Sequence, residues 1–180
     1  MPSQAIAQET SVAAQAGLSS DQVEELSQAG FPIAVPTYVP PNFTVSLVEV
    51  NPLSPDGTYR DRMRAGYRIV YRQPVSSGFS AECFEIEAAL GGIGGIDADQ
   101  QVEASLPPFV QPPADYSYYL HWSDFNTGEP PFFREVLFSD WIEAETVFYR
   151  VTSLLKERRF CDRISPEQAN QILESLRYLD

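Results

Sequence analysis

The sequence lacks the usual signatures of metal sites and of membrane-spanning helices. It has a single histidine, His121, and two cysteines, Cys83 and Cys161, that lie far apart with no CxxC pair. A histidine-rich metal site is therefore excluded by number, and only Asp97 and Asp99 resemble the spaced aspartates of a calcium-binding loop. No apolar run approaches the roughly 18 residues that a membrane-spanning helix needs. We predict no metal, no cofactor and no membrane span.

Basic residues are few relative to acidic ones. The chain has 12 Lys and Arg residues against 25 Asp and Glu, for a net charge of −13, and Lys156 is the only lysine. An acidic surface of this kind repels the phosphates of nucleic acids and the anionic face of a membrane. The composition therefore argues against partners of either class.

Two segments that invite a catalytic or nucleotide-binding interpretation do not fit one. The segment GGIGGID at 91–97 supplies the first two glycines of GxGxxG, but Asp97 occupies the third glycine position and no Lys-Ser/Thr pair follows. Ser123 and Asp124 follow His121 closely, and closeness in sequence is not evidence of triad geometry. We interpret 91–97 as a flexible loop and His121 as a half-exposed sheet histidine, and we predict that the protein is not an enzyme.

The first residues of the chain resemble the end of an export signal. Residues 5–7 read Ala-Ile-Ala and precede Gln8 and Glu9, as around a cleavage site, but no charged and apolar regions stand before them. Residues 1–17 are rich in glutamine, alanine and serine, which predicts a flexible leader. It is either the remnant of an export signal or a small-residue tail. We expect an exported protein, periplasmic or lumenal, with the cytoplasm as the alternative.

The compartment also decides the expected state of the two cysteines. In an oxidising compartment Cys83 and Cys161 would pair and close a loop worth about 4 kcal/mol, whereas in the cytosol they would be two inert thiols. We expect the disulfide. Because alternation places Cys83 on the polar face of its strand, the bridge should hold a segment that covers the sheet from outside.

Two helices are predicted, one near each end of the remaining chain, residues 18–180. Ser19 and Gln22 form a capping box for a helix over residues 20–29, which Gly30 ends. A second capping box begins at Ser165, before a helix with an apolar stripe.

Strands are predicted between these helices. Alternating apolar residues predict a first strand from Phe43 through Val45 and Leu47, then strands near 67–72, 83–88, 116–122, 133–139 and 146–154. In the strand near 67–72, Tyr67, Ile69 and Tyr71 share one face, and the basic residue Arg68 lies on the other. A turn is expected at 52–59 and a long connection at 91–115. We predict a single α+β domain over residues 18–180, in which a short N-terminal helix and a C-terminal helix pack on one curved antiparallel sheet.

Two stretches of the chain resemble one bacterial family. The entry Pro-x-Tyr-Val-Pro-x-x-Phe at 36–43 is similar to the Pro-Tyr-Leu-Pro-x-Gly-Tyr entry of a family of unknown function, found in cell-envelope lipoproteins and extracytoplasmic parts of anti-sigma regulators. The ending at 164–176 looks like the closing helix of that family. The chain departs from the family in the Pro-Asn pair at 41–42 and in the glycine-rich insert. The resemblance implies an envelope sensory or interaction domain and no catalytic residues.

Basic side chains are concentrated in two stretches, which hold ten of the twelve. If residues 60–64 are extended, Arg60, Arg62 and Arg64 share one strand face. Should that stretch adjoin Arg158 and Arg159, the two would form a basic patch able to hold an acidic partner or an anionic headgroup. The alternative is that these arginines pair with the protein's own carboxylates.

An aromatic strand offers a second candidate surface. Tyr119 and Trp122 lie in a run of aromatic residues that either packs in the core or lines a ligand groove under the proline-rich loop. We therefore expect an exported, non-enzymatic accessory or sensory domain that binds another envelope protein through the sheet face and the 91–115 loop. The alternative is a carrier of a lipid or small hydrophobic ligand, which requires an apolar cavity of several hundred Å³ in the concavity of the sheet.

Overall fold

The computed structural model describes residues 10–56, 58–74, 81–91, 98–124, 135–153 and 161–179. They form an α+β fold with an open antiparallel sheet and a helix near the C-terminus, which confirms the predicted class. The helices are α1 (Val12–Gln15), α2 (Ser20–Ser27), α3 (Tyr59–Arg62) and α4 (Pro166–Ser175). The strands are β1 (Ala34–Pro36), β2 (Thr44–Asn51), β3 (Gly66–Arg72), β4 (Ala81–Ala89), β5 (Gln100–Glu103), β6 (Tyr119–Asp124), β7 (Glu135–Ser139), β8 (Ile142–Ala144), β9 (Val147–Thr152), β10 (Cys161–Arg163) and β11 (Leu176–Tyr178).

The main sheet has nine strands in the described part of the chain. Seven follow the order β2-β3-β4-β9-β7-β6-β5, while β8 pairs with β9 and β10 with β4. The pairing of β10 with β4 is parallel, and the others are antiparallel. β1 and β11 form a separate antiparallel pair, so the prediction of one sheet was incomplete. Three-residue strands are too short to show an alternation in sequence.

Both predicted capping boxes are present. The Ser19 hydroxyl accepts a hydrogen bond from the Gln22 backbone N–H, and the Gln22 side chain accepts one from the Ser19 N–H, so α2 begins where the sequence places it. Ser165 and Gln168 form the same pair of bonds at the start of α4. The two boxes satisfy backbone donors that the first turn of a helix leaves without partners.

The ordered part of the chain begins before the predicted domain boundary. Ser11 caps α1, and Ala16 is fully buried. The hydroxyl of Tyr71 on β3 donates a hydrogen bond of 3.0 Å to the Ala16 carbonyl. The prediction of a flexible leader over 1–17 is therefore wrong for residues 11–17, because tertiary contacts order a segment whose composition is that of a tail. Residues 1–9 lie outside the described residues.

One face of the main sheet, called here the inner face, packs against the helices. Tyr67, Ile69 and Tyr71 project from β3 into the core, as alternation predicted, and Tyr71 stacks on Phe84 at 4.6 Å between ring centroids. Residues of α2, α4, β1 and β11 complete this core, as does Val110 from the 98–118 connection. The terminal helices therefore pack on the inner face, and we call the opposite side of the sheet the outer face.

Tyrosine hydroxyls join the inner face to the backbone that covers it. The Tyr67 hydroxyl donates to the Ala34 carbonyl and accepts from the Ala34 N–H, both at 2.8 Å. The Tyr149 hydroxyl donates to the Pro32 carbonyl at 2.9 Å. Burial away from water raises the pKa of both phenols, which keeps the hydroxyls protonated as donors.

A β-bulge in β2 changes which residues face the core. The register against β3 shifts between Val45 and Leu47, so the alternation predicted from Phe43 does not continue past the bulge. Val48 turns to the inner face, whereas Leu47 packs on the outer face beside Val70.

Candidate functional site

A row of alternating charges crosses the outer face of the sheet. We call it the charge row: Glu49 on β2, Arg68 on β3, Glu87 on β4 and Arg150 on β9 lie directly opposite one another in the strand register. The Nε of Arg68 lies 2.5 Å from a Glu49 oxygen, and the Nε of Arg150 lies 2.5 Å from a Glu87 oxygen. Each arginine thus holds a carboxylate of the preceding strand through a charge-assisted hydrogen bond.

Trp141 extends the charge row beyond β9. The guanidinium carbon of Arg150 lies 4.3 Å from the centroid of the Trp141 ring, which is a cation–π contact. Pairing of Ile142 with Tyr149 brings the residue before β8 level with Arg150. The row therefore ends on an aromatic side chain at the β9 side.

A groove of about 840 Å³ runs beside the charge row. The next row of the outer face has only small or short side chains, since Asn51, Gly66 and Ala89 are paired across β2, β3 and β4. Met63 and Arg64, which precede β3, also line the groove. The groove is lined by Glu25, Glu49, Val50, Asn51, Met63, Arg64, Ala65, Gly66, Tyr67, Arg68, Glu87, Ala88, Ala89, Trp141 and Arg150.

Gly66 is required at the bottom of this groove. A Cβ atom added there would collide with the Ala88 carbonyl oxygen of the neighbouring strand. A larger residue could be placed only by moving β3 away from β4, which would break the register of the charge row. The depth of the groove therefore depends on glycine at this position.

Glu85 lies beneath the outer face, two residues before Glu87 on β4, and is 1% exposed. Burial raises its pKa to about 9, and the negative charge and hydrogen bond of Glu87 act in the same direction, against the attraction of Arg68 and Arg150. One Glu85 oxygen lies 3.7 Å from Nη1 of Arg68, beyond hydrogen-bonding distance. Burial therefore favours the neutral, protonated form of Glu85. The charge row itself balances two carboxylates against two guanidinium groups.

Hydrogen-bond donors remain available at the β9 end of the groove. Arg150 binds Glu87 through Nε, and its terminal N–H groups have no acceptor among the described residues. The Nε1 of Trp141 also has no acceptor within the same part of the chain, but it is buried and is therefore not exposed to a ligand in the groove. Arginine carries five N–H donors in a planar fork, so most of the donor capacity of Arg150 is unused.

The strand face predicted for Arg60, Arg62 and Arg64 is wrong. Thr58 and Asp61 form a capping box, so residues 59–62 make the short helix α3 instead of an extended arm or hairpin turn. Arg64 lines the groove, whereas Arg60 and Arg62 are exposed on α3. The structure therefore brings only one of the three to the candidate site. Arg158 and Arg159 lie outside the described residues.

Tyr119 and Trp122 lie on β6, away from the groove. They alternate between the faces of the sheet: Trp122 packs against the core, and Tyr119 neighbours His121, with ring centroids 6.3 Å apart. Part of the predicted 91–115 connection is the strand β5, and Phe109 packs against the core, while 92–97 lies outside the described residues. Neither the two aromatic residues nor the described part of that connection lines the groove.

His121 pairs with a carboxylate that the sequence did not indicate. Its Nε2 lies 2.9 Å from an oxygen of Asp140, and its ring stacks on Phe138 at 5.1 Å. The hydroxyl of Ser123 instead accepts a hydrogen bond from the Asp99 backbone N–H. The side chain of His121 is 19% exposed, in agreement with its interpretation as a half-exposed sheet residue.

Cys83 and Cys161 form the predicted disulfide. It joins β4 to β10, which lies beside β4 in the same sheet, with Cα atoms 5.5 Å apart. The expectation that the bridge holds a segment over the sheet is therefore wrong. Cys83 nevertheless faces the outer side, where it packs with Val70 and Leu47. The bridge thus fixes β10 next to the row that contains Glu85.

The residues of the groove carry little signal in the sequence. Alternation places Arg68, Glu87 and Arg150 on polar faces of separate strands, whereas the alternation from Phe43 through Leu47 would place Glu49 on the apolar face. The alignment of the four residues depends on strand order and register. Glu85 alternates with apolar residues like an ordinary exposed strand residue, so nothing local indicates its burial.

No helix in the described residues has the length and apolar character needed to cross a membrane. The same residues contain no group of three or more His, Cys, Asp or Glu side chains placed to hold a metal ion.

No protein-family model matches the chain, and comparisons with curated proteins and with solved structures find no match either. The resemblance to the envelope family therefore stays a prediction.

Proposed function

We propose that the protein is an exported, non-enzymatic accessory or sensory domain that binds another protein of the cell envelope in the groove on its outer face. The observation that carries this proposal is the groove itself. Its volume of about 840 Å³ is in the range of specific binding sites, and its lining combines paired charges, small residues and an aromatic side chain.

The pairing within the charge row supports binding over catalysis. Arg68 holds Glu49 and Arg150 holds Glu87, so these carboxylates serve as fixed partners of arginines. Fixed charges of alternating sign are suited to orienting a polar partner and to rejecting partners of the wrong charge pattern.

The disulfide supports export. Bridges of this kind form and persist in oxidising compartments and are rare in the cytosol of most organisms. The bridge between Cys83 and Cys161 also holds part of the sheet that bears the groove.

Core side chains occupy the inner face of the sheet, which favours binding in the outer-face groove over carriage of a hydrophobic ligand on the inner face. A carrier would hold its ligand in the concavity of the sheet, where Tyr71, Phe84 and Tyr149 are fully buried among other core residues. The groove lies on the opposite side and has charged side chains along it. The carrier hypothesis stays a prediction without an observation in its favour.

Site-specific photo-crosslinking in the native host tests the proposal. A photoreactive amino acid is introduced at Met63 or Arg64, which line the groove, and at Val102 or Tyr116, which are exposed elsewhere. We expect one cross-linked partner protein from both groove positions and not from the two control positions. Arg150→Ala combined with each groove position should abolish that product.

Equal products at all four positions would contradict the proposal, because they would report non-specific collision. Absence of any product at the groove positions, with normal protein levels, would contradict it as well.

A further inference from the structure

We infer that the groove binds the free C-terminal carboxylate of a partner polypeptide, which docks at the end formed by Arg150 and Trp141. This inference rests on the proposed function and specifies what the partner presents to the groove.

The donors at the β9 end match a carboxylate. The terminal N–H groups of Arg150 have no acceptor among the described residues, and Arg150 lines the groove together with Trp141. A guanidinium fork binds the two oxygens of a carboxylate more specifically than a lysine ammonium does. The contact with Trp141 and the bond to Glu87 hold the fork in place before a ligand arrives, which lowers the entropy lost on binding.

The charge balance of the site leaves room for one negative charge. The charge row pairs two carboxylates with two guanidinium groups and has no net charge, so an added carboxylate meets Arg150 without a surplus of negative charge in the row. Glu85 lies close enough to Arg150 to interact with it, so an ionised Glu85 would repel a carboxylate bound there. Burial raises the pKa of Glu85 and therefore favours its neutral form.

The opposite end of the groove suits a positive charge. Glu25 of α2 lines the groove at the β2 side, beside Glu49, which is already paired with Arg68. Three strand spacings separate β2 from β9, or about 14 Å. An extended chain advances about 3.4 Å per residue, so this distance spans about four residues. The preferred partner therefore carries a lysine or arginine three residues before its terminal residue.

The two tryptophans of the chain provide a direct assay. The chain contains only Trp122 and Trp141, so a ¹H–¹⁵N spectrum has two indole signals, which Trp141→Phe assigns. The probe is the peptide acetyl-Lys-Ala-Ala-Ala with a free C-terminus. We expect a saturable shift of the Trp141 signal at millimolar peptide and no shift of the Trp122 signal.

Matched probes and variants identify the group that is recognised. The same peptide with a C-terminal amide should bind at least tenfold more weakly, and acetyl-Glu-Ala-Ala-Ala more weakly than the lysine peptide. Arg150→Gln should abolish the shift, whereas Arg60→Gln, which alters an exposed arginine outside the groove, should leave it unchanged. The amide comparison uses the unaltered protein, so the test does not depend on the folding of a variant.

Three results would overturn the inference. The first is no shift of the Trp141 signal up to about 10 mM peptide, a concentration above the dissociation constant of a weak millimolar complex. The second is an equal shift from the acid and the amide peptide, and the third is an equal shift from inorganic phosphate, which would make this a general anion site. If the peptides fail while cross-linking from Met63 and Arg64 succeeds, the groove binds its partner through another group. If cross-linking also fails, the proposed function fails with it.

Discussion

Replacing the buried acid Glu85 with glutamine should remove a pH dependence from the stability of the fold. The folded protein raises the pKa of Glu85 from an ordinary value of 4.5 to about 9. Between these values the folded chain holds a proton that the unfolded chain releases. The stabilisation from this group is therefore complete below about pH 4.5 and is lost as the pH rises toward 9.

The size of the change in unfolding free energy follows from the one proton that the folded chain holds and the unfolded chain releases. Linkage gives a loss of about 1.4 kcal/mol of unfolding free energy per pH unit, or about 2.7 kcal/mol between pH 6 and pH 8. The slope depends only on a folded pKa above this range and an unfolded pKa below it. Glu85→Gln keeps a neutral side chain of similar size, so the variant should gain this amount relative to the unaltered protein over the same interval.

Urea denaturation at pH 6, 7 and 8 measures the effect as a difference between the two proteins, which cancels the titrating groups that do not interact with Glu85. Glu24→Gln is the matched control, because it makes the same substitution at an exposed position of α2. A constant difference for Glu85→Gln would refute the reasoning, since it would mean that the folded protein does not hold the proton at Glu85.

Three further changes test the contacts that hold the fold together. Tyr67→Phe removes both hydrogen bonds to the buried backbone of β1 and should cost about 2–3 kcal/mol in urea denaturation, against almost nothing for Tyr59→Phe, whose side chain is 78% exposed. Reduction of the bridge between Cys83 and Cys161, which are 78 residues apart, should cost about 4 kcal/mol, seen as a lower denaturation midpoint with reductant and reproduced by the double serine variant. Ser165→Ala removes the α4 cap and should cost about 1 kcal/mol; an unchanged midpoint would show that α4 is held by packing alone.

Local patterns predicted the parts of the fold that local chemistry determines. The capping boxes at Ser19 and Ser165 placed the starts of two helices, and the alternation of Tyr67, Ile69 and Tyr71 identified the inner face of β3. In each case the residues that form the pattern also make the contacts. The α+β class followed from these elements.

Predictions failed where a competing local bond or a distant contact decides the structure. The capping box of Thr58 and Asp61 turned a predicted extended arm into α3, and the bulge after Val45 moved Leu47 to the other face. The short strand of Cys161 depends on pairing with β4, from which it is far removed in sequence. No pattern in the residues around Cys161 indicates that β10 pairs with β4.

The candidate site was missed because it exists only across strands. Arg68 was recognised as a basic residue of one strand, but its partner Glu49 and the pair of Glu87 with Arg150 come from other strands. An alternation gives the face of each residue and not its neighbour in the next strand.

The charge row also has a consequence for how the sheet chooses its alignment during folding. Sliding β3 along β2 by two residues would keep every side chain on its present face of the sheet, so the apolar pattern by itself does not distinguish the correct pairing from the shifted one. In the shifted pairing Arg68 would sit opposite Leu47 or Asn51 in place of Glu49, and a guanidinium would lose its counterion. The alternating acidic and basic side chains therefore favour the correct strand register over shifted ones, independently of any ligand that binds this face.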